Sequence, residues 1–270
     1  MELIINISQI AIITGHNQYK TKRDFLIEFW QKYDKKDYEK FSNTIGFIKE
    51  SDKEIIEKIA AKNNIDIAQD LKSCVKTTNL NDFASIKKNI LSKVDNLNES
   101  EKKEIIKSID NVTNTKFGIK NETDVTKLYE SMTNSIIVKD NRYHKKSIYS
   151  NEFLTIMIGG KIDGINNSNS CIIEVKNRVK TLFHILRDYE KVQIMCYMHL
   201  FESLKGHLVE ALKKKKSTDI NIIEVDYDEK YMEMIISKII VFGHFFLEFF
   251  NNDKIKKDFL EDNFNVDGIF

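Results

Sequence analysis

Residues 159 to 176 read Gly-Gly-Lys-Ile-Asp-Gly-Ile-Asn-Asn-Ser-Asn-Ser-Cys-Ile-Ile-Glu-Val-Lys, two apolar runs on either side of a polar turn. The turn, Asn166 to Ser170, is made of residues that favour chain reversal, so the runs are expected to pair as a hairpin. Period-two alternation puts Glu174 and Lys176 on one face of the second run, with Ile173 and Val175 on the other. The hairpin would bring Asp163 beside Glu174. Two carboxylates so placed repel each other unless a divalent cation sits between them. Taken alone the pattern is short, and Glu174 and Lys176 can equally form a surface cross-strand ion pair on an ordinary hairpin.

These residue types suit one kind of chemistry. Hydrolysis of a phosphodiester needs a hydroxide near neutral pH, neutralisation of the charge gathering on the phosphate, and help for the departing oxygen. A hard cation held by carboxylate oxygens supplies the first two. Mg²⁺ prefers a few carboxylates plus waters and phosphate oxygens, which fits an Asp and a Glu better than a His or Cys set. Lys176 adds a compact positive charge for the attacking water or the transition state.

The block resembles the PD-(D/E)XK nuclease superfamily, and within it the lambda-exonuclease and YqaJ-like branch of phage and viral recombination nucleases. Four further segments fit that branch in order. Ile10 to Tyr19 looks like its N-terminal helix followed by a Gly-x-Asn-x-Tyr turn. Phe117 to Tyr129 carries Gly118 and Glu122 in the Gly-x-x-x-Glu pattern of the helix that gives an extra acidic residue. Tyr189 to Tyr197 resembles the helix whose Gln, here Gln193, reaches the active site. Gly206 to Asp226 reads as two strands, followed by a helix over Glu229 to Phe250. The superfamily's proline before the Asp is absent, with Lys161-Ile162 in its place, and Gln18 stands where relatives often have proline in the Asn-x-Tyr turn. Proline contributes no catalytic atom.

The resemblance implies a restriction-endonuclease-like α/β core, with a central mixed sheet flanked by helices and an inserted helical subdomain. Strands are expected near 152 to 160, 171 to 177, 206 to 212 and 220 to 226, and helices at 121 to 134, 186 to 203 and 229 to 250. The core would comprise 1–33 and 116–270, the insert 34–115. The implied activity is Mg²⁺-dependent hydrolysis of DNA, with Mn²⁺ as a substitute ion, by an exonuclease acting on double-stranded ends in recombination or repair. Asp163, Glu174 and the Val175 carbonyl would hold the metal, with Glu122 completing its shell. Lys176 would position or activate the water, and Gln193 would orient it or the phosphate. DNA is the expected partner, and the resemblance also allows a single-strand annealing protein and a ring-shaped homo-oligomer. A structure-specific or restriction-like endonuclease and a catalytically silent DNA-binding protein of the same fold remain the alternatives.

Composition sets compatible bounds. With 41% hydrophobic and 31% charged residues over 270 positions the chain can bury a proper core. A net charge of +1 provides no global field for nucleic acid, so a DNA surface must come from local clusters. Arg178 and Lys180 beside the site, and Lys139, Arg142, Lys145 and Lys146 before the first strand, are the candidates. Lys213 to Lys216 reads first as a solvated loop. The three cysteines, Cys74, Cys171 and Cys196, form no C-x-x-C pair and read as reduced, buried residues of an intracellular protein. They exclude the cysteine-held iron-sulfur cluster of some relatives. The start Met-Glu-Leu-Ile-Ile-Asn lacks a basic leader, so secretion is not expected. Lys238, His244 and Glu248 interrupt the apolar stretch 234 to 250, which reads as a core helix and not a membrane span.

Residues 34 to 115 read as charged amphipathic helices. Ser51-Asp-Lys-Glu54 is a capping-box start, Asn98-Glu-Ser-Glu101 another, and Asp82 to Val94 places Phe83, Ile86, Ile90, Leu91 and Val94 on one side. Such an insert can cover a DNA entrance, mediate oligomerisation, bind a partner, or simply pack on the core.

Overall fold

The computed structural model describes residues 1–47, 50–77, 79–168, 170–214 and 217–270, with the side chains of 80 and 114–121 outside the description. Asn169 of the turn, and Lys215 and Lys216 of the basic run, therefore lie outside the described residues. The chain begins with strand β1 (Glu2–Asn6), helix α1 (Ile7–Ile13), α2 (Lys22–Tyr33) and α3 (Lys35–Ile45). A helical stretch follows: α4 (Asp52–Lys62), α5 (Ala68–Lys76), α6 (Leu80–Lys93) and the long α7 (Glu99–Thr133). The second half contains β2 (Ile137–Val138), β3 (His144–Ser150), β4 (Thr155–Gly160), β5 (Gly164–Asn166), β6 (Cys171–Arg178), α8 (Asp188–Phe201), β7 (Lys205–Lys213), β8 (Thr218–Asp226), α9 (Glu229–Asn251) and α10 (Asp253–Leu260).

The strands form two sheets where the sequence suggested one. One has the order β1-β4-β3, with β1 parallel and β3 antiparallel to β4. The other runs β2-β5-β6-β7-β8, all antiparallel except β6 with β7. The chain leaves the first sheet at Gly160 and enters the second at Gly164, so Asp163 sits at the junction. The expected hairpin forms, but its first arm is the three-residue β5; the longer run, β4, pairs elsewhere. Arg142, Lys145 and Lys146 precede β4, the strand expected near 152 to 160, and Lys145 and Lys146 lie on β3, a strand the sequence did not suggest.

Both faces of β6 are covered, which is what its run Cys-Ile-Ile-Glu-Val requires. Ile172 and Leu208 join the main core, built with α1, α2, α8, α9 and α10. Ile173, Val175, Val209 and Ala211 pack on the other side against Val125 and Tyr129 of α7. Helix α8 provides the crossover between the parallel strands β6 and β7 and also touches β4 and β3, bracing the two sheets. In α9, Met232, Ile235, Ile239, Phe242, Phe246 and Phe249 recur at helical spacing and are buried. Gly243 lets this helix approach β4, because a Cβ there would lie 2.3 Å from Ile156 Cδ1.

The start of the stretch expected as an insert, 34–115, packs differently from the rest. Helix α3 packs with the main core: Tyr38 lies edge-on to Trp30, whose Nε1 donates to Asp37 at 3.0 Å, and Asp37 also pairs with Lys256 at 2.8 Å. A separate apolar cluster begins with Ile56 and Ile59 and closes with Ile105 and Ile109. The capping box at Ser51 is present, and Asn98 caps α7 by accepting from the Glu101 amide. The helix expected to start at Asn98 to Glu101 and the one expected at 121–134 are one continuous 35-residue helix, about 50 Å long at 1.5 Å per residue. Once each end is nucleated and packed, extending it through the weak linking segment costs little. All three cysteines are buried, and none forms a disulfide among the described residues. Among the described residues no helix is long and apolar enough to cross a membrane.

Candidate active site

The β5–β6 register pairs Gly164 with Ile173, so the next residues outward, Asp163 and Glu174, face each other across the ladder. Asp163 Oδ2 accepts the Val175 amide at 2.7 Å, which ties the junction between the sheets to the middle of β6. Glu174 is only 5% exposed. Its Oε1 accepts from Lys176 Nζ at 2.7 Å and from Gln193 Nε2 at 2.7 Å, and Lys176 also donates to Gln193 Oε1 at 2.9 Å. Alternation along β6 turns Glu174 and Lys176 toward α8, where Gln193 waits, and Ile173 and Val175 toward α7. Tyr197, one turn after Gln193, lies over Gly160, where a Cβ would come 2.9 Å from the ring. The missing side chain is what lets α8 sit close enough for Gln193 to reach Glu174.

The cluster is short of positive charge. Burial pushes Asp163 up to about 6; the Val175 amide opposes the shift and the charge of Glu122 adds to it. Burial likewise pushes Glu174 up to about 7, with Lys176 pulling down and Asp163 pushing up. Glu122, half-buried on α7, is raised by burial and by Glu174. Burial works against the charge of Lys176, but the adjacent Glu174 outweighs it and holds the ammonium above its usual value. Lys139, whose Nζ donates to Thr123 Oγ1 at 3.3 Å, is within electrostatic reach of Glu122 and Asp163. Three carboxylates thus face two ammonium groups.

Among the described residues no three His, Cys, Asp or Glu side chains stand close enough together to form a ready-made metal cage. Asp163 and Glu174 form a pair of hard oxygen donors. Desolvation raises both pKa values, and an added cation would offset that penalty. The donor set fits a hard divalent ion that takes the rest of its shell from water and a bound phosphate. Glu122 joins this group electrostatically, while Val175 is engaged through its amide.

Arg178 needs correcting. It follows Glu174 and Lys176 on the same face of β6 but is only 7% exposed, and it does not rim the site. Nε donates to Glu210 and Nη1 to Glu190, each at 2.8 Å, and the guanidinium lies 4.7 Å from the Phe183 ring centre. Burial raises the Glu190 carboxyl, but hydrogen bonds from Arg187 and Arg178 win and bring it down to about 2. Glu210 also accepts the Phe183 and His184 amides at 3.1 and 2.9 Å, so the triad pins the loop between β6 and α8. Lys180 is exposed in that loop. Arg142 is bonded to Asp140 at 2.7 Å, Lys145 lies 3.7 Å from Glu2, and Lys146 pairs with Glu202 at 2.9 Å. Lys213 and Lys214 pair with Asp124 and Asp219.

Sequence reading passed over Glu190 and Arg187, whose only signal is an acid in the first turn of a helix after a basic residue. Lys139 was grouped with the surface cations and stands instead beside the carboxylates. The Gly-x-Asn-x-Tyr turn is present: Gly15 has φ +80° and Asn17 Oδ1 accepts the Tyr19 and Lys20 amides. It delivers Tyr19 to Tyr189, ring edge to ring face at 5.6 Å.

No family model and no curated protein matches the chain. Among solved structures, a phage-related exonuclease from Haemophilus somnus 129PT is similar at 14% identity and a TM-score of 0.39, over 50% of this chain and 71% of that one. An alkaline exonuclease from Laribacter hongkongensis is similar at 12% identity and a TM-score of 0.37, over 71% and 89%. The same enzyme in complex with dAMP gives 11%, 0.37, 72% and 90%. Likenesses of this size assign no residue of this chain a role.

Proposed function

We propose that this chain is a divalent-metal-dependent deoxyribonuclease, acting as an exonuclease on double-stranded ends. The observation that carries this reading is the meeting of Asp163 and Glu174 across the β5–β6 ladder, with Lys176 and Gln193 bonded to the same Glu174 oxygen. An ordinary surface ion pair would not bury its carboxylate or engage a glutamine from a separate helix. Asp163 and Glu174 hold the cation, preferably Mg²⁺, with the Val175 carbonyl and Glu122 as further donors. When bound, the cation lowers the pKa of a ligated water and neutralises charge on the scissile phosphate. In hydrolysis the water oxygen bonds to phosphorus, one P–O ester bond breaks, and the leaving oxygen takes up a proton. Lys176, held in its ammonium form by Glu174, stabilises the charge that develops on the phosphoryl oxygens and orients the water, and it does not serve as the base. Gln193, with one donor and one acceptor at its tip, fixes the Lys176 ammonium against Glu174 and keeps both aimed at the reacting centre.

The test is incubation of the purified protein with linear and covalently closed circular duplex DNA, in Mg²⁺, in Mn²⁺ and in EDTA. Metal-dependent loss of the linear form with the circle spared is expected. Cutting of the closed circle would establish an endonuclease instead, and no cleavage of either form would end the nuclease reading.

A further inference from the structure

A cleft of about 950 Å³ opens away from the carboxylates, between the loop after α1 and the 99–111 portion of α7. The core wall carries Tyr19, Lys20 and Lys22, and the insert wall Lys103 and Lys107. Lys103 and Lys107 are four residues apart and share one side of the helix. Like charges at this spacing destabilise a helix, and among the described residues neither lysine makes an ion pair. Two acids also line the cleft, but Asp110 is paired with Lys87 at 2.6 Å and Asp267 lies by Lys22. Tyr19 is 60% exposed, and it is held in place by Tyr189 and by Arg187, whose Nη1 donates to its hydroxyl at 3.4 Å.

Two connections join this cleft to the carboxylate cluster. Tyr19 packs on Tyr189, one helical turn before Gln193 on α8. The same α7 carries Lys107 and Glu122, about 22 Å apart along the axis and roughly 60° apart around it. That span equals about six stacked nucleotides at 3.4 Å each. A volume of this size accommodates a short run of single-stranded nucleotides, and it is too small for a duplex whose major groove alone is about 12 Å wide.

We propose that the cleft between the insert and the core is a binding track for single-stranded DNA, with Lys103, Lys107, Lys20 and Lys22 on its phosphates and Tyr19 as the stacking platform for a base. The inference rests on the nucleic-acid reading of the neighbouring site. Lysines along a groove with an exposed aromatic ring are the elements by which proteins hold single strands without reading sequence. The insert thereby supplies one wall of the track and is more than a subdomain packed on the core.

The test is fluorescence anisotropy with a labelled 12-nucleotide oligo-dT in EDTA, so that binding is read without cleavage. In parallel, turnover of a small chromogenic phosphodiester, bis(p-nitrophenyl) phosphate, is followed in Mn²⁺. Lys103→Gln/Lys107→Gln lies on an exposed helix surface and is expected to weaken oligo-dT binding roughly tenfold at moderate salt. It should lower the salt slope by about 1.4, at about 0.7 per lost contact on a single strand, and leave small-diester turnover unchanged. Tyr19→Ala is expected to weaken binding roughly 5- to 100-fold and Tyr19→Phe much less. Unchanged binding in the lysine variant, or no oligo-dT binding by the wild type, overturns the track. DNA cleavage by a protein that binds no single strand would leave the nuclease reading intact, whereas lysine-dependent binding without any cleavage would sink that reading and keep the track.

Discussion

Glu174 concentrates the chemistry of this protein in one carboxyl group that burial disfavours as an anion. In the folded state it is pushed up to about 7, and its neighbour Asp163 to about 6, while both groups ionise near their ordinary values of 4.5 and 3.8 in an unfolded chain. A raised carboxyl pKa means the native state binds more protons, so metal-free stability falls as pH rises from the unfolded pKa to the folded one, and the cost is complete above about pH 7. Glu174→Gln removes the Glu174 share of that dependence and leaves that of Asp163. Relative to wild type its melting temperature in EDTA should become steadily more favourable between pH 5 and pH 8, and a difference that does not change with pH would contradict the burial argument. Lys176→Ala separates charge from metal binding: stabilisation by Mg²⁺ should persist while DNA turnover drops roughly 100- to 1,000-fold, the usual loss when one transition-state donor is removed. Lys176→Arg should also be impaired, because a planar guanidinium cannot replace a compact ammonium bonded to Glu174 and Gln193 at once. Near-normal turnover in Lys176→Ala would return the residue to the status of an ion pair.

At the scale of elements, the loop between β6 and α8 depends on Arg178 more than on its own contacts. Removing the guanidinium leaves Glu210 buried without a cation and Glu190 with Arg187 alone, so Arg178→Met should cost about 3 kcal/mol in denaturant unfolding, the low end for breaking a buried pair. Glu190 is held down to about 2 in the fold. Its share of stability is therefore present above its unfolded pKa near 4.5 and lost as pH falls toward 2. A wild-type value insensitive to Arg178→Met would show that the triad only breaks even. Legibility at this scale divides by the range of the interactions. Strand β6, the helices α8 and α9 and the caps at Ser51 and Asn98 were readable, because alternation, helical spacing and capping are local. Strand β1 was not, because Glu2 pairs with Thr155, and β3 was not, because its sequence His-Lys-Lys-Ser-Ile-Tyr-Ser lacks apolar alternation although its partner β4 is the next strand. The three apolar residues Leu3 to Ile5 of β1 carry no mark of a partner about 150 positions away. The continuity of α7 was hidden for the opposite reason, since its middle is locally weak and the packing at both ends decides.

For the molecule as a whole, a metal that binds only the native state should stabilise it by mass action, about 2.7 kcal/mol at a hundredfold excess over Kd. The expected outcome is a Mg²⁺-dependent rise in melting temperature that is lost in Asp163→Asn/Glu174→Gln; an equal rise in the variant would place the ion elsewhere. By itself the sequence determined that Asp163, Glu174 and Lys176 meet on one hairpin and that Glu174 and Lys176 share a face, because a two-residue period and a polar turn leave no other arrangement. Gln193 was pointed at this cluster by the resemblance of Tyr189 to Tyr197 to the family's helix. Only the tertiary structure decided that Arg178, on the same face of the same strand, is buried between Glu190 and Glu210, and that Lys139 stands by the carboxylates. It also decided that residues 35–47 belong to the main core. Strand alternation says which face a side chain takes, but whether that face meets solvent, a carboxylate or a helix depends on segments far away in the chain, brought there by burial that no local pattern records.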